Sequence, residues 1–153
     1  MAKQRDKKAD GPPTILNRRA RYDYELLDTY EAGLVLEGPE VKSILAGQAS
    51  LAGAFCRVED GEVWVYEMDV APYDKAGTYR PERDRRRKLL LHKREISLLR
   101  RRAEEKGFSI IPTKLYFKNR RVKIEIAIAR GKRQYDKRDK IEATIARREA
   151  REN

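Results

Sequence analysis

The 153 residues carry 36 Lys and Arg against 25 Asp and Glu, a net charge of +11, which suits one ordinary domain with a polyanionic partner. One cysteine and one histidine exclude an intramolecular disulfide and a multi-cysteine zinc site, so no metal and no cofactor is expected. No apolar run approaches the roughly 20 residues of a membrane helix, and the charged N-terminus lacks the apolar stretch of a secretory signal; a cytosolic protein with no membrane partner is expected.

Residues 1–13 are polar, end in Gly11-Pro12-Pro13 and read as a flexible leader. The domain itself is expected over residues 14–130. Near its start, Asn17-Arg18-Arg19-Ala20-Arg21-Tyr22 sets three arginines beside an amide and an aromatic ring. Such a mixture attracts phosphates and stacks on an exposed base, although ordinary surface loops have it too. Tyr22 to Leu36 reads as extended chain broken near Gly33. Residues 22–40 hold six acids and no Lys or Arg. Glu31 and Glu37 in this stretch are either a solvated sheet edge or acceptors for base amino groups. Gly38-Pro39-Glu40 then opens a short helix, with Val41, Ile44 and Leu45 as its apolar face and Gly47 as its stop.

Asp60-Gly61 between Phe55–Glu59 and Glu62–Met68 predicts a tight hairpin, with Trp64 and Tyr66 on one face and Val63 and Val65 on the other. Cys56, inside its first strand, is expected to be a buried, inert thiol. Asp69 to Arg87 reads as a long loop. Its exit holds Arg80, Arg83, Arg85, Arg86, Arg87 and Lys88, and residues 80–94 are net +6. With only Glu82 and Asp84 as nearby acids, phosphate contact is expected for this cluster. Lys88 to His92 leads into a helix from about Lys93 to Lys106, whose Ile96, Leu99 and Ala103 face the core. His92 reads as a junction or capping residue first and as a base contact second. A second hairpin follows, Ser109–Lys118 and Arg121–Ala129, turning at Asn119-Arg120, with Val122, Ile124, Ile126 and Ile128 in strict alternation.

Residues 131–153 form a basic tail with too few apolar residues for a core. Ile141 and Ile145 permit a helix, and an isolated helix of this length is marginal in water, so the tail is expected to order only on an anionic partner. The predicted fold class is mainly β: an antiparallel, oligonucleotide-binding-type (OB-fold-like) barrel, which removes sheet edges, with two or three short flanking helices and a flexible basic C-terminal tail. No Ser/His/Asp arrangement, glycine-rich phosphate loop or metal-spaced carboxylate cluster is present, so neither catalysis nor a small-molecule substrate is expected.

Six blocks carry a family resemblance: Asn17-Arg-Arg-Ala-Arg21, Tyr30-Glu31-Ala-Gly33, Gly38-Pro-Glu-Val-Lys-Ser43, Arg87-Lys-Leu-Leu-Leu-His92, Lys114-Leu-Tyr-Phe-Lys-Asn119, and Ala129-Arg-Gly-Lys132 through Tyr135-Asp136-Lys137-Arg138. In this order they resemble SmpB, the family that binds transfer-messenger RNA (tmRNA, or SsrA RNA). The resemblance implies a barrel on the tRNA-like domain of tmRNA, delivery to stalled ribosomes for trans-translation, and a tail that becomes helical in the empty decoding centre and mRNA channel. It implies RNA contacts at Asn17, Arg18, Arg19, Tyr22, Glu31, Leu91 and His92, with Lys132 at the rim, and a decoding-centre block of Tyr135, Asp136, Lys137 and Arg138. Some members of the family carry His where Tyr135 stands, so stacking survives there and a protonatable ring does not. The alternative from charge and size is a constitutive ribosomal or rRNA-binding protein with a basic tail.

Overall fold

Two pairs of residues with positive φ set the hairpins: Asp60 (51°) with Gly61 (75°), and Asn119 (53°) with Arg120 (65°). Left-handed geometry at both central positions matches the twist of the flanking strands. The computed structural model describes residues 11–73 and 80–132. Its elements in chain order are β1 (Ile15–Leu16), α1 (Arg18–Asp23), β2 (Tyr24–Leu34), α2 (Gly38–Leu45), β3 (Ala49–Ser50), β4 (Phe55–Glu59), β5 (Glu62–Tyr66), β6 (Asp69–Val70), β7 (Arg87–Leu90), α3 (Lys93–Glu104), β8 (Phe108–Lys118) and β9 (Arg121–Gly131).

The strand order β8-β4-β5-β7-β2-β9 closes on itself because β9 also pairs with β8, and every pairing is antiparallel. In this ring each of the six strands has a partner on both sides. β1 extends the β8 edge beyond β4, and β3 pairs only with β6. The expected class, a mainly antiparallel β fold with a few short helices, is the class observed. The seam is weakest between β4 and β8, where one pair, Cys56 and Ile110, holds the register.

Alternation fills the barrel. Val122, Ile124, Ile126 and Ile128 of β9 turn inward against Val63, Val65, Leu89, Ile110 and Leu115, with Ile44 and Met68 in the same cluster. Removing one such isoleucine to alanine typically costs about 2–5 kcal/mol, because the lost transfer energy adds to a cavity. Ala127 and Ala129, on the opposite face of β9, are buried as well. There α1 lies on the outside of the barrel, and Ala20 packs on Ile111 and Ala129.

Several local expectations are corrected. Tyr22 and Asp23, expected to be extended, close the helix α1, and β2 runs unbroken through Gly33, its irregularity falling between Leu26 and Thr29. In α2, Leu45 is 47% exposed while Glu40 and Ser43 are buried. That helix faces a polar chain segment, and Ser43 Oγ donates to the Ala71 carbonyl at 2.7 Å. α3 stops at Glu104, short of Lys106. Cys56 is buried and its thiol is pushed far up by burial, as an inert thiol requires.

Candidate nucleic-acid interface

Asn17 builds the first cluster. Its side-chain Oδ1 accepts from the Ala20 backbone N–H at 3.2 Å, and its Nδ2 donates to the Pro112 carbonyl at 2.8 Å. The Asn17 backbone N–H donates to Thr113 O at 2.8 Å. One residue thus starts α1 and ties it to β8. Only 5% of Asn17 is exposed, so its amide is spent inside the protein. Its work is to display its neighbours: Arg18, Arg19 and Arg21 are exposed, and Tyr22 is 57% exposed. Arg19 reaches Asp23 at 3.3 Å in an exposed pair of little energetic weight. Lys132 closes the cluster from the end of the barrel, its N–H on Asp23 O and its Nζ on Arg21 O, both at 3.0 Å. A cation there also suits the negative end of α1.

Glu31, Leu91 and His92 form a second cluster near the far end of β2, about 20 Å along the strand from α1. They line one cavity of about 330 Å³ together with Gly33, Leu90, Glu95 and Lys123. Strand periodicity explains this: Ala32 and Leu34 are buried, so Glu31 and Gly33 turn outward. A methyl group on Gly33 would come within 3.2 Å of Leu90 Cβ, so glycine lets β7 lie close. Leu90 itself is 54% exposed. His92 caps α3 through its backbone, the Glu95 N–H donating to its carbonyl at 3.0 Å and its own N–H donating to Glu95 Oε1 at 3.1 Å.

The Glu31 carboxylate is oriented from β8. Tyr116 Oη donates to Oε2 at 2.7 Å, and Lys118 Nζ lies 3.4 Å from both oxygens. The Tyr116 hydrogen bond, with Lys118 and Lys123, holds the Glu31 carboxyl below the usual glutamate range. Burial, and then the bond to Glu31, push the Tyr116 hydroxyl up. Sequence reasoning missed Tyr116, Lys118 and Lys123 as site residues. The signal was present in part, since β8 alternates around inward Leu115, but the register that brings Tyr116 to Glu31 is not written in either strand.

In the arginine cluster before β7, the expectation of phosphate contact is corrected at Arg87. The cluster's acidic partners come from elsewhere in the chain. Arg83 binds Asp69 at 2.9 and 3.0 Å, Arg86 binds Glu59 at 3.0 Å, and Lys88 lies 3.8 Å from Glu62. Arg85 and Arg87 both bind the buried Glu40, Arg87 Nε at 2.7 Å. Arg87 is 0% exposed and also donates to the carbonyls of Met68 (2.8 Å), Arg85 (3.0 Å) and Arg83 (3.0 Å). Burial alone would raise the Glu40 carboxyl, but hydrogen bonds from Arg85, the Glu37 backbone and Arg87 outweigh it and lower it. Burial dominates at Arg87 and lowers the guanidinium. Arg87 is thus a structural residue with no access to phosphate, whereas Arg83, Arg86 and Lys88 make exposed pairs of little energetic weight.

A broader groove of about 970 Å³ opens along the weak β4–β8 seam between α1 and α3. On its wall Arg57 lies 5.2 Å from the Phe55 ring centre, and Phe55 stacks on Tyr66 at 5.4 Å. Among the described residues no group of three or more His, Cys, Asp and Glu side chains is placed to hold a metal ion. No helix among them is long and apolar enough to cross a membrane. The block Tyr135, Asp136, Lys137 and Arg138 lies outside the described residues, as do most of the leader and the tail after Lys132, whereas Gly131, expected in the tail, ends β9.

The SmpB protein family profile matches residues 14–153. The chain is 52% identical over 136 residues to an SsrA-binding protein of Roseiflexus sp. (strain RS-1), covering 88% of this chain and 84% of that one. It is 49% identical over 146 residues to an SsrA-binding protein of Oleidesulfovibrio alaskensis, covering 95% and 94%. Among solved structures it resembles, with a TM-score of 0.69 and 44% identity over 84% of this chain and 94% of the other, one described as "tmRNA-SmpB: a journey to the center of the bacterial ribosome". From the profile and these relatives, the chain belongs to the SmpB family.

Proposed function

We propose that the chain binds the tRNA-like domain of tmRNA and delivers it to stalled ribosomes in the cytoplasm for trans-translation. The observation that carries the reading is near-full-length similarity to SsrA-binding proteins, at about half of all positions, in a chain of net charge +11. The barrel is the RNA-binding unit. Arg18, Arg19, Tyr22 and Lys132 engage backbone and an exposed base at one end of β2, with Asn17 acting through the helix it caps. Glu31, Leu91 and His92 engage the RNA at the other end. The residues after Lys132 enter the vacant decoding centre and mRNA channel, with Tyr135, Asp136, Lys137 and Arg138 in the decoding centre. The role is one of binding and placement and contains no bond-making step.

The test is to isolate the affinity-tagged protein from cells and sequence the RNA that comes with it. tmRNA is expected as the dominant species, with ribosomal RNA enriched when messages lack stop codons. Ribosomal RNA in constant proportion under all conditions, with no tmRNA, would overturn the proposal in favour of a constitutive ribosomal protein.

A further inference from the structure

On the outer face of the barrel, Gly33 of β2 lies opposite Lys123 of β9, and Lys123 opposite Tyr116 of β8. Tyr116 therefore stands two strands, about 10 Å, from β2. Its hydroxyl nevertheless spans β9 to reach Glu31 at 2.7 Å. An ionised carboxylate has about four acceptor sites. Tyr116 and Lys118 orient the group and leave acceptor capacity for a ligand.

The cavity at Glu31 has an exposed leucine, Leu90, and the imidazole of His92 on its walls. A matching ligand has a flat apolar face and an edge with adjacent N–H donors. Among the nucleobases only guanine offers two, N1–H and the N2 amino group, side by side on its Watson–Crick edge. Adenine and cytosine place an acceptor nitrogen beside their amino group, which a carboxylate repels, and uracil has one N–H between two carbonyls. A guanidinium ligand from a protein would fit the carboxylate but would meet the cations Lys118 and Lys123 beside it, and the second carboxylate of the cavity, Glu95, already accepts the His92 N–H. A donor edge carried on a polyanion is favoured by the same two residues.

We propose, on the RNA-binding reading above, that Tyr116 is a positioning residue that holds the Glu31 carboxylate to receive the Watson–Crick edge of one unpaired guanine. The experiment uses the full-length protein and a transcript of the tRNA-like domain of tmRNA, probed with kethoxal, which reacts at guanine N1 and N2. Wild-type protein is expected to protect one guanine. Glu31→Gln is expected to expose it and to weaken binding about 10- to 100-fold, the range of one bidentate base contact. Tyr116→Phe keeps the ring and loses the donor, so it should weaken both protection and binding about 3- to 10-fold. The double variant should bind no more weakly than Glu31→Gln alone, which a purely structural Tyr116 would not produce. Effects that multiply independently overturn the positioning role. Binding by wild type with no Glu31-dependent guanine overturns the guanine assignment while leaving RNA binding intact. No binding to the transcript at all would bring down this inference and the proposed function together.

Discussion

Arg86 and Arg87 are neighbours with the same guanidinium and opposite circumstances. Arg86 is exposed, lies 4.0 Å over the Trp64 ring centre and binds Glu59. Arg87 is enclosed with Glu40. Truncating one partner of a buried pair strands the other charge, so Arg87→Ala should lower stability by about 3–5 kcal/mol. Arg86→Ala should cost about 1 kcal/mol or less. Urea denaturation of the two variants measures the contrast. The Glu40 carboxyl is lowered in the folded state, so its contribution is present above the unfolded value of about 4.3 and is lost as pH falls through the lower folded value. Glu40→Gln should therefore be the less stable protein at neutral pH and should lose less stability than wild type on acidification below about pH 4. Denaturation midpoints across that pH range test the sign.

Secondary structure divided into what the residues announce and what only contact reveals. The Asp60-Gly61 and Asn119-Arg120 turns, and the alternation of Val122 to Ile128, were readable because they depend on local geometry. α1 was not: six residues with three arginines carry no helical pattern, and the helix exists because Asn17 reaches Pro112 and Thr113, some 95 positions away. Arg87 misled for the same reason, since its partner Glu40 lies 47 positions away. Grouping Glu31 with His92 rested on family resemblance, and the structure puts both on one cavity wall. Two changes test elements. Arg120 holds a φ of 65°, which suits glycine better, so Arg120→Gly should stabilise the β8–β9 hairpin by about 1 kcal/mol, visible as a rise in melting temperature. Replacing both Arg18 and Arg19 with Ala should weaken RNA binding and flatten its salt dependence, each lost phosphate contact removing about 0.7–0.9 from the log–log slope. An unchanged slope in a binding titration would take α1 out of the interface.

For the whole molecule, the expectation is a division of labour. A chain ending at Lys132 keeps every described element of the barrel. It should bind the tRNA-like transcript with affinity within about threefold of the full chain and fail to support tagging on stalled ribosomes. A binding titration and a reconstituted translation reaction, run on the same truncated protein, separate the two halves of the proposal.

The two hydrogen bonds of Lys132 to the C-terminal end of α1 moor the chain where it leaves the barrel. Whatever follows is therefore launched from a point fixed relative to the arginines of that helix. Three peptide links, about 11 Å at full stretch, are all that separate this mooring from Tyr135. On the proposed reading this couples grip and reach: an RNA that shifts α1 also shifts the point at which the last 21 residues begin.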